Sequence, residues 1–155
     1  MSAEERKAAA DTPEEQLTDE LLEQLLASAT PEAYLSEAPT EDRSLAEYAL
    51  ALLDAKGLKR SEVIRESGLN ATFAYQIFQG TRHPGRDSAI MLAFGLGCDL
   101  RETQRLLRLA GVAELWCKLR RDAILIYAVQ HGYTRAQADD ELYRLGEKTL
   151  LSEDG

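Results

Sequence analysis

The chain has 155 residues, 45% of them hydrophobic, with two cysteines and a formal net charge of −9. That length fits one domain with extensions, and no apolar run approaches the roughly 18–20 residues that cross a bilayer. The opening MSAEERKAAADTPEE lacks an apolar signal-peptide core, and two isolated cysteines exclude a disulfide scaffold or a zinc site. The expectation is a cytoplasmic protein, without membrane association, in which Cys98 and Cys117 are buried reduced thiols.

Residues 1–11 read as a frayed end. Thr12, Pro13 and Glu15 form a helix-start signature: a capping hydroxyl, a proline in the first turn and a glutamate three residues after the cap. Leu17, Leu21, Leu22, Leu25 and Leu26 follow at helical spacing and give a helix of about four turns a leucine face. Thr30-Pro31 restarts a shorter helix carrying Tyr34 and Leu35. The segment from Ser36 to Arg43 (SEAPTEDR) is a polar linker. This extension, residues 1–43, is strongly acidic: three basic against twelve acidic residues. It is expected to pack on the body, dock a protein partner or cover a basic surface.

Ser44 with Glu47 opens the next helix, whose apolar face is Leu45, Ala49, Leu52 and Leu53 and which ends at Gly57. A short helix from Arg60 to Ser67 ends at Gly68. A second begins behind Asn70, a capping residue, and runs to Gln79 before Gly80. From Arg86 or Asp87, a helix carrying Ile90, Met91, Leu92, Phe94 and Leu96 reaches Gly97. It is apolar on most sides, as the central helix of a core is. Asp99 and Glu102 start another, with Leu106, Leu107 and Leu109 inward, ended by Gly111. A helix of roughly Lys118 to His131 ends at Gly132, and Thr134 with Gln137 starts a last one, with Ala138, Leu142 and Leu145, ended by Gly146. Residues 147–155 read as a tail. No strand is expected, so the fold class is all-α.

Two short helices joined by a tight glycine-containing turn form a helix-turn-helix unit, whose second helix commonly enters the DNA major groove. Over Ser44 to Gly111 the spacing resembles the lambda repressor-like (Xre/Cro type) helix-turn-helix family. The carriers are Gly68 in the turn, the apolar set Val63, Leu69 and Ile77, the exit loop from Gly80 to Pro84 and the following AIMLAFGLGCDL. Two positions depart from the family pattern. Ile64 stands where a small residue is usual and Ala74 faces it where a β-branched one is usual, an exchange that keeps the joint volume. Lys59 replaces the usual Ser or Thr cap. A narrower likeness, carried by AYQIFQGTRHPGRD, ETQRLLRLAG and RRDAILIYAVQHG over Ser44 to Gly146, is to small bacterial Xre-type regulators, some found beside serine/threonine kinases. The resemblance implies a helix-turn-helix bundle at 44–111 with the acidic helix before it and a helical pair, 112–146, packed on it.

The start of the second helix of the motif reaches base edges first in this geometry, which selects Ala71, Thr72, Tyr75 and Gln76 as base-reading residues. Glutamine pairs bidentately with adenine, threonine and alanine touch a thymine methyl, and tyrosine lies against sugar and phosphate. Lys59, Arg60, Arg82, His83 and Arg86 are the phosphate candidates. Residues 44–155 carry as many basic as acidic residues, whereas residues 56–86 hold six basic against two acidic. Positive charge is thus gathered around the motif, as phosphate contact requires.

Other residues take structural readings. Phe73 and Phe78 read as core or interface rings, Phe78 being a partner-contact candidate if exposed. His83 is a loop residue, and His131 suits a helix end. Asp139-Asp140-Glu141 reads as a solvated face, and Arg120 and Arg121 as ion-pair partners beside Asp122. No phosphate loop, nucleophile–base pair or ligand cluster supports an enzyme, a cofactor or a metal. The expected function is a sequence-specific regulator of transcription that binds double-stranded DNA as a homodimer. The alternative is a protein-interaction adaptor on the same fold with weak or no DNA binding, a partner or substrate of a serine/threonine kinase.

Overall fold

Capping side chains start the helices where the sequence places them. Ser44 accepts the Glu47 N–H, Asn70 accepts the Phe73 N–H, and reciprocal boxes form at Asp99 with Glu102 and at Thr134 with Gln137. Each satisfies amide donors that a helix N-terminus leaves unpaired. Lys59 starts its helix without a side-chain cap.

The structure is a computed structural model that describes residues 13–37 and 43–151. Among the described residues it is all helical, with nine helices and no strand. None of these helices is long and apolar enough to cross a membrane. The chain divides into two units, Met1–Asp42 and Arg43–Gly155. The first holds α1 (Pro13–Ala27) and α2 (Pro31–Glu37), which pack on each other. Thr30 caps α2 by accepting the Ala33 N–H. Within this unit Leu22, Leu25, Leu26 and Leu35 stay exposed, so its leucine face is not covered by its own residues. The frayed end, the Thr12 cap and most of the Ser36–Arg43 linker lie outside the described residues.

The second unit holds α3 (Leu45–Ala55), α4 (Arg60–Ser67), α5 (Ala71–Gln79), α6 (Arg86–Gly95), α7 (Leu100–Leu109), α8 (Arg120–Gln130) and α9 (Arg135–Arg144). The apolar helix predicted as the centre takes that place: Ala89, Ile90, Met91, Leu92 and Ala93 of α6 are all buried, and α4, α7 and α9 pack against it. The side chains of Ile90, Met91 and Leu92 each contribute about 1.5–3 kcal/mol on burial. α3 closes the core from α5 and α7.

α4 and α6 approach closely at Gly95. A Cβ there would stand 2.5 Å from the Val63 carbonyl oxygen and 2.9 Å from Ser67 Cβ, so α4 and α6 meet backbone to backbone. Ser67 is fully buried; its hydroxyl donates to the Ile64 carbonyl at 2.7 Å and accepts the Leu69 N–H at 3.2 Å. It thereby ties the end of α4 to the turn. Gly68 follows at φ +78°, in the left-handed region that favours glycine. Ile64 and Ala74 are both buried, on helices that pack together, as the size-exchange reading requires. In a double-mutant cycle, Ile64→Ala with Ala74→Val is expected to show a favourable coupling of about 1 kcal/mol by denaturant titration; additive energies would reject the exchange.

Phe78, read as a core or interface ring, is 2% exposed and belongs to the core. Three expectations are corrected. Cys117 is exposed; Cys98 is buried as expected. Burial, with the Glu102 charge nearby, pushes the Cys98 thiol up to about 12, so it stays protonated and inert. Asp139 is not on a solvated face. It is buried, pairs with Arg135 and accepts the Leu150 N–H at 2.6 Å and the Leu151 N–H at 3.1 Å. The segment after Gly146 is correspondingly packed rather than a free tail: Leu150 is 4% exposed, and the guanidinium of Arg121 donates to the Lys148 and Thr149 carbonyls.

Candidate nucleic-acid interface

α5 carries four predicted reading residues at spacings of one, four and five positions, which share one helical face. Ala71, Thr72 and Tyr75 are exposed there, and Gln76 is half-buried. The opposite face of α5 is Ala74, Ile77 and Phe78, all buried. The helix is therefore held rigidly by one side while the other meets solvent.

Two of the predicted phosphate residues, Arg60 and Arg82, lie against rings of this helix. Arg60 is the first residue of α4, and its guanidinium carbon lies 6.0 Å from the centre of the Phe78 ring. Arg82 lies 5.3 Å from the centre of the Phe73 ring. Cation–aromatic attraction of this kind is worth about 0.5–1 kcal/mol at exposed sites and keeps both arginines beside α5. The exit loop is set by the Gln76 carbonyl, which accepts the Thr81 N–H at 3.0 Å, the Arg82 N–H at 3.4 Å and the Thr81 hydroxyl at 3.2 Å. Pro84 is buried and anchors the far side of the loop, while Lys59, Arg60, Arg82 and His83 are exposed. Among the described residues no carboxylate pairs with Lys59, Arg60 or Arg82.

No protein-family model, curated protein or solved structure matches the chain.

Arg86 is elsewhere. Its guanidinium donates twice to Asp122, at 3.0 and 2.7 Å, and once each to the carbonyls of Ala113 and Glu114, at 2.9 and 3.0 Å. Five donors in a planar fork suit such a junction, and none of this geometry leaves the group free for a phosphate. The Arg86 assignment is thus corrected to a structural one. Its neighbour Asp87 takes both guanidinium nitrogens of Arg121, at 2.9 and 3.1 Å. Two Arg-Asp dipeptides, 86–87 opening α6 and 121–122 opening α8, pair crosswise. Arg121 and Asp122 therefore ion-pair across the fold rather than with each other, while Arg120 reaches Glu147 at 3.1 Å.

Lys56 is also engaged internally, by Glu102 at 2.9 Å and the Gly97 carbonyl at 3.0 Å. Of the six basic residues between 56 and 86, Lys59, Arg60, Arg65 and Arg82 are exposed and not ion-paired to another element among the described residues, Arg65 making only a 4.0 Å contact to Glu66. Fewer cations are thus available around the motif than the linear count implied. Arrays of this kind bind a polyanion by point contacts, with an affinity that falls as salt rises. The part of the site that the sequence reading missed is the support supplied by Phe73 and Phe78. Both rings were visible on α5, but nothing in their spacing indicates that arginines from two other segments lie over them.

Proposed function

We propose that the chain is a helix-turn-helix regulator of the lambda repressor-like kind, in which α4 and α5 form the motif and α5 reads the major groove of double-stranded DNA. The observation that carries this reading is the exposed face of Ala71, Thr72 and Tyr75 on a helix whose Phe78 and Phe73 rings hold Arg60 and Arg82, each free of a carboxylate partner among the described residues. Thr72 and Gln76 supply base contacts; Lys59, Arg60, Arg82 and His83 hold phosphates. One such module covers about 600–1,000 Å², so two copies acting on half-sites about one helical turn apart complete the reading.

The test is binding of duplex fragments over a salt series. Arg60→Ala and Arg82→Ala are each expected to lower the slope of log affinity against log salt by about 1, across all sequences. Thr72→Ala and Gln76→Ala are expected to alter sequence preference at a similar slope. The internal engagement of Lys56 and Arg86 favours a second reading, an adaptor that keeps the fold and binds a protein. Weak, salt-insensitive DNA binding that survives the joint loss of Arg60 and Arg82 would select it.

A further inference from the structure

Arginines from the last two helices meet the chain at both ends of α5. At the entrance, Arg135 of α9 lies on the turn between α4 and α5: a Cβ on Gly68 would stand 2.8 Å from Arg135 Nε and 3.2 Å from its Cζ. Gly68 closes the C-terminal end of α4, where unpaired carbonyls favour a cation. At the exit, the loop from Gly80 to Gly85 leads into α6, whose Asp87 takes both guanidinium nitrogens of Arg121 from α8. Both arginines are fastened from behind by one segment, residues 147–151. Arg121 donates to the Lys148 carbonyl at 2.9 Å and to the Thr149 carbonyl at 3.4 Å. Arg135 pairs with Asp139, whose carboxylate accepts the Leu150 and Leu151 N–H groups. Leu150 seats the segment in the core, and Glu147 holds its near end through its N–H on the Leu142 carbonyl, at 2.8 Å, and its carboxylate on Arg120.

We propose that residues 147–151 are a strap that sets the reading helix in place, with Arg121 and Arg135 as positioning residues that hold the two ends of α5 and make no contact with DNA. The proposal rests on the reading of α5 given above and names what aims that helix. Two observations carry it beyond plain stability. The Nε of Arg135 is buried without a hydrogen-bond partner among the described residues. An unpaired buried N–H is unfavourable, and the ion pair with Asp139 does not require it; what the placement gains is contact with the turn. The strap also reaches both arginines at once, so one packing event at Leu150 fixes the turn before α5 and the helix after it. A base-reading helix needs such support. Hydrogen bonds to base edges form only at roughly 2.7–3.2 Å, and a site about 1 Å too loose loses them.

Amide hydrogen exchange of the full chain tests the strap without DNA. Arg135→Met is expected to speed exchange of the Gly68 and Leu69 amides by about tenfold, and Arg121→Met that of the Thr81 and Arg82 amides by a similar factor, each acting at its own end of α5. Leu150→Ala is expected to speed both pairs by more than it speeds Ile90 and Leu92 of α6, which open only with the whole unit. Equal acceleration at all of these amides would make the three residues ordinary stabilisers and overturn the proposal, as would unchanged exchange around α5. The two arginine variants decide the matter even where Leu150→Ala fails to fold. On a duplex that wild type selects from a random pool, Arg121→Met and Arg135→Met are each expected to lower affinity about tenfold at an unchanged salt slope, whereas a slope lowered by about 1 would put these cations on phosphates and overturn the positioning role. A wild type that selects no duplex removes the regulator, and the exchange results then decide the strap by themselves.

Discussion

Replacing Asp122 by alanine is expected to lower the unfolding free energy by about 3–5 kcal/mol, the cost of breaking a buried ion pair by removing one partner. The Asp122 side chain is 3% exposed and that of Arg86 26%. Without the carboxylate the guanidinium stays in a half-buried site with only the carbonyls of Ala113 and Glu114, and the Trp116 N–H loses its acceptor. Exchanging both partners for apolar residues, Arg86→Met with Asp122→Leu, is expected to cost less than Asp122→Ala alone, because no unpaired charge is left buried. Denaturant titration of wild type and the two variants decides it; a double variant weaker than Asp122→Ala would show that the pair does more than neutralise itself.

The same pair sets a pH dependence. Burial acts to raise the Asp122 pKa, but the hydrogen bonds from Arg86 and the Trp116 N–H and the charges of Arg86 and Arg121 outweigh it, holding the carboxyl below its ordinary 3.8. Arg86 is raised, chiefly by its hydrogen bond to Asp122, and stays charged throughout. A depressed folded-state pKa contributes stability that is present above the unfolded value and is lost as pH falls through the folded one. The pair is therefore intact near neutrality and fails only below about pH 4. In Asp122→Leu with Arg86→Met, the acid limb of the stability profile is expected to flatten; an unchanged limb would assign acid unfolding to other carboxylates.

Gly95→Ala is the second large effect, and its sign is diagnostic. In an ordinary helix the change gains up to about 1 kcal/mol from propensity. Here the new methyl meets the Val63 carbonyl at 2.5 Å and Ser67 Cβ at 2.9 Å, and both belong to a helix rather than to a movable side-chain tip. α4 and α6 must separate, which opens the core beside Ile90 and Leu92 and loosens the Ser67 contacts that hold the turn. A net loss of about 3 kcal/mol, the upper end of overpacking costs, is expected by thermal or chemical unfolding. A neutral or stabilising outcome would mean that the helices part more easily than their backbone contact implies.

Arg86 shows where linear reading reaches its limit. It lies in a loop-to-helix passage rich in basic residues, and sequence proximity to the motif made it a phosphate candidate. Its actual partners are 27 to 36 positions away, beyond any helical or turn spacing. The one local trace was the Arg-Asp dipeptide at 86–87 and again at 121–122, each opening a helix. Asp139 failed for a related reason. Three consecutive acids describe a solvated face until a returning segment brings the Leu150 and Leu151 amides to one of them. Phe78 is exposed or buried according to what α3 and α4 place over it, and cysteine composition says nothing of the loop that leaves Cys117 outside.

The amino-acid sequence by itself determined the helices of the second unit, their order and most of their ends, because caps, glycine stops and 3.6-residue periodicity act within a turn or two of chain. It also determined which face of α5 is apolar, and hence that Ala71, Thr72 and Tyr75 point away from the core. Only the tertiary structure decided which cations are available to a ligand, that α4 and α6 touch at Gly95, and that Trp116 is held out to solvent. Those outcomes depend on groups far apart in sequence being brought within a few ångströms, where hydrogen bonding and steric contact act and composition does not.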